Sequence, residues 1–133
     1  MSYLFDTNAI SDMIRRPAGK IAQRLVGLEK RDLKTSLIVA AELRYGVVKR
    51  GSKELSELME RVLSQFEILP WEPPADIRYA ELRNHLRQIG QPIGDMDMLI
   101  AAHALAIDAV VVTANEREFE RVPGLKVENW ERD

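Results

Sequence analysis

The sequence predicts an α/β fold, a three-layer α/β/α sandwich with a central, mostly parallel sheet. Three observations carry this. The chain opens on a short apolar run, Tyr3-Leu4-Phe5, that ends abruptly in Asp6-Thr7-Asn8. A second run, Ala109-Val110-Val111-Val112-Thr113, is apolar on both of its alternating faces, as strands covered on two sides are. Between the candidate strands lie amphipathic helical segments in place of hairpin turns, which is the pattern of parallel pairing.

Taken in order, Tyr3 to Phe5 reads as a buried strand with Asp6 at its carboxyl end, where open α/β sheets place their ligands. The same three residues, Asp6-Thr7-Asn8, are also good helix caps, so a plain strand-to-helix turn is the competing account. Ala9 to Ile14 continues as a short helical turn, stopped by Pro17 and Gly19. Lys20 to Glu29 places Ile21, Leu25 and Leu28 on one helical face, which is core. Asp32 to Thr35 is a brief strand. Ser36 caps a helix from Leu37 to Arg50, with Gly51 as its stop and Ile38, Ala41, Tyr45 and Val48 as its apolar stripe.

Lys53 to Phe66 is amphipathic, burying Leu55, Leu58, Met59, Val62 and Leu63. Glu67 to Trp71 is a strand that Pro70 confines to its end. Pro73 and Pro74 open a helix from about Ala75 to Ile89, which Gly90 terminates. After the loop Gln91-Pro92-Ile93-Gly94, Asp95 to Ile107 is the most apolar helix of the chain, and Leu125 to Val127 is a last strand. No repeat, low-complexity tract or linker divides the chain, so residues 1–133 are expected to form one domain.

Composition excludes several kinds of chemistry. The 133 residues include no cysteine, which removes disulfides, thiolate metal sites and a cysteine nucleophile. Two histidines, His85 and His103, make a poor basis for zinc, and His103 within an apolar helix reads as a hydrogen-bonded core residue. No apolar run is long enough to cross a bilayer and no signal peptide precedes the first strand, so a soluble, cytoplasmic protein without membrane contact is expected. The formal net charge is −2, yet Arg15 to Arg50 holds ten bases against three acids. Such asymmetry marks either a solubilising surface or a phosphate-binding face.

Four places put polar groups where they demand an account. Asp6 ends the first strand, and Glu42 interrupts the apolar run Val39-Ala40-Ala41-Glu42-Leu43. Asp97 lies in the first turn of the helix from Asp95, and Thr113-Ala114-Asn115 closes the valine strand with Glu118 a turn later. Individually they have simpler explanations. Acids suit a helix N-terminus, which accounts for Asp95; Glu42 can pair with a nearby arginine, and Glu118 can sit in a charged turn. Together they emerge at one edge of a parallel sheet, where carboxylates repel unless a divalent cation offsets them. All-oxygen ligation selects Mg²⁺ or Mn²⁺, ions that activate water for displacement at phosphorus.

These residues resemble the PIN-domain ribonucleases, and within them the VapC-type toxins of toxin–antitoxin pairs. The likeness is carried by Asp6-Thr7-Asn8, by Ala41-Glu42-Leu43-Arg44-Tyr45-Gly46, by Ile93-Gly94-Asp95-Met96-Asp97 through Ala104, and by Val112-Thr113-Ala114-Asn115-Glu116-Arg117-Glu118-Phe119 with Val122-Pro123-Gly124-Leu125. The resemblance implies Asp6, Glu42 and Asp97 as the core acidic residues, with Asp6 and Asp97 holding Mg²⁺ or Mn²⁺ and Glu42 holding it or orienting water. Asn115 stands where many members have aspartate, and Glu118 is the acid that can fill that role. Thr113 or Asn115 would support Asp6 by hydrogen bonding. The resemblance further implies hydrolysis of structured RNA, such as a transfer RNA or a ribosomal loop, a homodimer, and a VapB-type antitoxin that blocks the site. Two other readings stand beside it. One is a phosphotransferase forming an aspartyl-phosphate, whose second aspartate is missing at Asn8; the other is an inactive PIN-like module that only binds RNA or protein.

Overall fold

The computed structural model describes residues 2–132; Met1 and Asp133, the two ends of the expected domain, lie outside the described residues. Five strands form one sheet: β1 (Tyr3–Phe5), β2 (Leu33–Ser36), β3 (Glu67–Leu69), β4 (Val110–Val112) and β5 (Lys126–Glu128). Their spatial order is β3-β2-β1-β4-β5, and every pairing is parallel. β1 is therefore central, with Phe5 opposite Thr35 on one side and Val112 on the other. Leu4, Phe5, Val111 and Val112 are completely buried, the signature of strands covered on both faces.

The helices are α1 (Thr7–Arg15), α2 (Lys20–Leu25), α3 (Leu37–Arg50), α4 (Lys53–Leu63), α5 (Ala75–Gln88), α6 (Asp95–Ile107) and α7 (Glu116–Phe119). α1, α3 and α4 pack on one another, and α5 packs on α6. The central strand is pinned by aromatic contacts. Trp130 meets Tyr3 and Phe5 edge-on at 5.1 Å each, and Phe5 meets Phe66 at 4.9 Å. No helix is long and apolar enough to cross a membrane among the described residues.

Several elements depart from the sequence-based expectation. The helix expected over Lys20 to Glu29 stops at Leu25, because Val26 is 88% exposed and Gly27 follows; a short 3₁₀ turn, Lys30–Asp32, leads into β2. α1 is longer than expected, beginning at Thr7, because Asp6 caps it. In α3 the expected stripe of Ile38, Ala41, Tyr45 and Val48 is not the buried face. Val39, Ala40 and Leu43 are buried, whereas Tyr45 is 67% and Val48 77% exposed. Of the five α4 residues expected inside, Met59, Val62 and Leu63 are buried and Leu55 and Leu58 only half so. α4 ends at Leu63 before the expected Phe66, and the turn holding Glu118 is the short helix α7.

The stops and caps behave as their chemistry requires. Ser36 Oγ accepts the Ile38 amide at 3.1 Å, and Gly51, at φ 68°, ends α3 in the left-handed conformation that a glycine adopts without a Cβ clash. Arg44, in the middle of α3, forks onto Glu60 of α4 through Nε and Nη2 at 3.2 and 3.1 Å, joining those two helices at the surface.

Candidate active site

Parallel strands deliver their carboxyl ends to one edge, and Asp6 arrives there directly from the central strand. Its residue is 1% exposed. Oδ1 accepts the Ala9 amide at 2.8 Å, capping α1, and Oδ2 accepts the Thr113 hydroxyl at 2.5 Å from the end of β4. Both oxygens are thus committed within the fold. Burial pushes this carboxyl up to about 6, against the pull of the Thr113 and Ala9 hydrogen bonds; the nearby charges of Glu42 and Glu131 add to the rise.

Thr113 is itself held, since its Oγ accepts the Asn115 amide at 2.8 Å. Asn115 Nδ2 donates to Glu118 Oε2 at 2.6 Å, and the Gly94 amide donates to Glu118 Oε1 at 3.2 Å. The chain Asp6, Thr113, Asn115, Glu118 is therefore one continuous hydrogen-bonded path from the central strand to α7. Gly94 is the N-cap residue of α6, so the same path reaches the helix that carries Asp97.

Asp97 and Glu118 shift in opposite directions. Burial drives the Asp97 carboxyl well above the usual carboxylate range. Its hydrogen bond to Glu118 and the charges of Glu118, Asp6 and Glu42 push it the same way. Glu118 moves down, first because Asp97 donates to it and then through the Gly94 and Asn115 donors, despite the opposing cost of its own burial. The fourth acid, Glu42, stands half-buried on α3 and accepts the Thr7 hydroxyl at 2.6 Å. It faces a groove of about 220 Å³ between α1, α3 and α4, lined among others by Thr7, Ile14, Leu43, Val47 and Leu55.

The other three of these acids, Asp6, Glu42 and Glu118, lie within electrostatic reach of Asp97, and Thr113 supports Asp6 directly while Asn115 supports it through Thr113. Among the described residues, no three acidic or histidine side chains stand close enough to enclose an ion, for Glu42 is turned to Thr7 and Glu118 to Gly94 and Asn115. The donor set is nonetheless the one a hard divalent cation takes, and after burial the charges of Glu118, Asp6 and Glu42 raise the Asp97 carboxyl, a repulsion that such a cation would offset. Asp95 is exposed and takes no part. His103 lies buried with Nδ1 2.8 Å from Ser36 Oγ, and burial holds its ring below the usual histidine range. It is the core residue the sequence suggested.

Three contributors escaped the sequence reading. Thr7 was seen as part of a motif but not as the hydroxyl that fixes Glu42. Asp12, 3% exposed, bonds Arg16 Nη1 at 2.9 Å, and its helical spacing with Ala9 and Met13 was the available signal that it faces inward. Glu131 acts on Asp6 only through the packing of the chain after β5, for which the sequence holds no local signal.

The PIN domain model matches residues 3–125. The chain belongs to the PIN-domain family. Within it the chain is 40% identical over 134 residues to ribonuclease VapC2 of Rickettsia felis, covering 99% of this chain and all of that one. It is 34% identical over 131 residues to the tRNA(fMet)-specific endonuclease VapC of Salmonella typhimurium, covering 98% of each. Its fold overlays the crystal structure of VapBC2 from Rickettsia felis bound to a DNA fragment from their promoter with a TM-score of 0.90, at 39% identity over 98% of this chain and 99% of that one. These are VapC-type PIN domains, and the all-parallel three-layer sandwich described above is theirs.

Proposed function

We propose that this protein is a metal-dependent endoribonuclease of the VapC type, the toxin of a toxin–antitoxin pair, cutting phosphodiester bonds in structured RNA. The observation that carries the reading is the gathering of Asp6, Glu42, Asp97 and Glu118 at the carboxyl edge of a PIN-type sheet. Asp6 and Asp97 would hold the ion, Mg²⁺ or Mn²⁺, with Glu118 beside Asp97 and Glu42 at the groove side. When bound, such an ion activates water and stabilises charge at phosphorus. Thr113 fixes the direction of Asp6 by its hydroxyl. Glu42, with only one oxygen taken by Thr7, would hold the ion or orient water. Cleavage of a transfer RNA in Mn²⁺ that disappears in EDTA is the expected result; full cleavage in EDTA would refute it.

The restraint on such an enzyme would be a VapB-type antitoxin, in keeping with the VapBC complexes whose toxin chains share this fold. The groove between α1, α3 and α4 has an apolar floor and ends at Glu42, which suits a partner helix followed by a basic residue directed at the carboxylates. α2 does not line it. Added Mn²⁺ should compete with that basic residue, and neutralising it should weaken inhibition.

A further inference from the structure

Beside the acidic edge, α2 and the residues after β5 enclose an open cleft of about 530 Å³, lined by Lys20, Gln23, Arg24, Trp130 and Arg132. None of these five lining residues is acidic, in a protein whose formal net charge is −2. Arg24 and Arg132 are held in place. The Arg24 guanidinium lies 4.5 Å from the centre of the Trp130 ring, and Trp130 is only 2% exposed, wedged against Tyr3 and Phe5. Arg24 thus rests on a fixed platform and loses less freedom on meeting a ligand than a free side chain would. Arg132 is tethered to Glu116, the first residue of α7, and Gln23 Nε2 donates to the Ala18 carbonyl at 2.8 Å.

The cleft adjoins the carboxylates. Phe5, which touches Trp130, directly precedes Asp6; Glu131, between two lining residues, acts on Asp6 by its charge; Glu116 leads the helix that carries Glu118. A cluster of acids repels a polyanion, so a strand reaching it needs cations alongside. Trp130 and Arg132 follow the carboxyl end of β5, the edge at which Asp6 leaves β1.

We propose that this cleft grips the RNA strand next to the scissile bond, with Lys20, Arg24 and Arg132 pairing to backbone phosphates as positioning residues. The proposal rests on the ribonuclease reading. Contacts of this kind fix register and carry little sequence information. The RNA sequence itself would be read elsewhere.

The test is the binding of a fluorescein-labelled RNA stem-loop, followed by anisotropy in EDTA so that nothing is cut, over a series of salt concentrations. K20Q/R24Q should weaken binding about tenfold at low salt and reduce the slope of log K against log salt by about 1.4, the value for two phosphate contacts on a single strand. R24K, which keeps the charge, should leave the slope as it is. Wild-type affinity and slope in K20Q/R24Q, or no binding by the wild type, would overturn the proposal. So would a double variant that holds RNA normally but loses a co-purifying antitoxin, since the cleft would then serve a protein partner. Should K20Q/R24Q melt early, R132Q at an exposed position carries the same measurement, with a slope change of about 0.7 expected and none overturning. Cleavage in Mn²⁺ is scored separately: wild type that binds through this cleft without cutting sinks the ribonuclease reading and supports the cleft.

Discussion

The Thr113 hydroxyl donates to Asp6 Oδ2 at 2.5 Å, joining residues 107 positions apart at the ends of two neighbouring strands. This bond ties the central carboxylate to the path that continues through Asn115 to Glu118. Thr113→Val keeps the volume but leaves Asp6 Oδ2 without its donor and the Asn115 amide without its acceptor. Unmade buried hydrogen bonds cost about 1–3 kcal/mol each. Urea unfolding should show Thr113→Val destabilised by about that amount while Thr113→Ser stays close to wild type. Equal stability of the two variants would mean that the hydroxyl is dispensable.

Asp6→Asn tests charge against shape. The amide fits the same space and carries no charge to bury, but it sets a donor against one of the two groups that now donate to Asp6, so the metal-free variant should stay folded and melt close to or somewhat below the wild-type temperature. RNA cleavage should nevertheless fall at least about a hundredfold, a loss of about 2.7 kcal/mol or more in transition-state stabilisation. Added Mn²⁺ should no longer raise its melting temperature. Retained cleavage would remove Asp6 from the chemistry.

Stability should also depend on pH in a definite direction. The folded-state Asp6 carboxyl lies above its ordinary value of 3.8, at about 6. Its contribution is therefore fully present below the lower value and is lost as pH rises through the higher one. The loss amounts to about 3 kcal/mol. Asp97 and Glu118 move in opposite senses and offset one another in part. Urea titrations in EDTA should give a more stable protein at pH 5 than at pH 7.5, with Asp6→Asn showing the smaller difference and Mn²⁺ restoring stability at the higher pH. A wild-type protein that gains stability over that interval would contradict the account.

Glu118 and Asn115 can be told apart by metal titration. Glu118→Gln removes a carboxylate whose charge acts on Asp97, whereas Asn115→Ala removes only a neutral donor to Glu118. Calorimetric Mn²⁺ binding should weaken clearly more in Glu118→Gln. Equal affinities in the two variants would retire Glu118 as a contributor.

What the sequence made legible follows from how local each signal is. The bounds of α6, Asp95–Ile107, and the Ser36 cap and Gly51 stop of α3 depend on neighbouring residues alone, and were read correctly. The acids followed from strand ends and helix starts in a parallel sheet. The buried face of α3 differs from the expected one because apolar residues surround that helix, and its packing against α1, α4, α6 and the sheet selects Val39, Ala40 and Leu43 over Tyr45 and Val48. α7, of four residues, is too short to show a helical period. The hydrogen-bonded path from Asp6 to Glu118 joins distant parts of the chain and has no sequence signature.

The order in which the sheet draws on the chain has a consequence for the protein's synthesis. The central strand is made first, but one of its covalent successors' partners, Thr113, and the acid of α7 are made late, and Trp130, which wedges Tyr3 and Phe5, later still. A growing chain still attached to its ribosome holds Asp6 without the hydroxyl that aims it and without Glu118. The arrangement of the carboxylates therefore depends on the segment from Thr113 to Trp130, which is the last to reach the central strand.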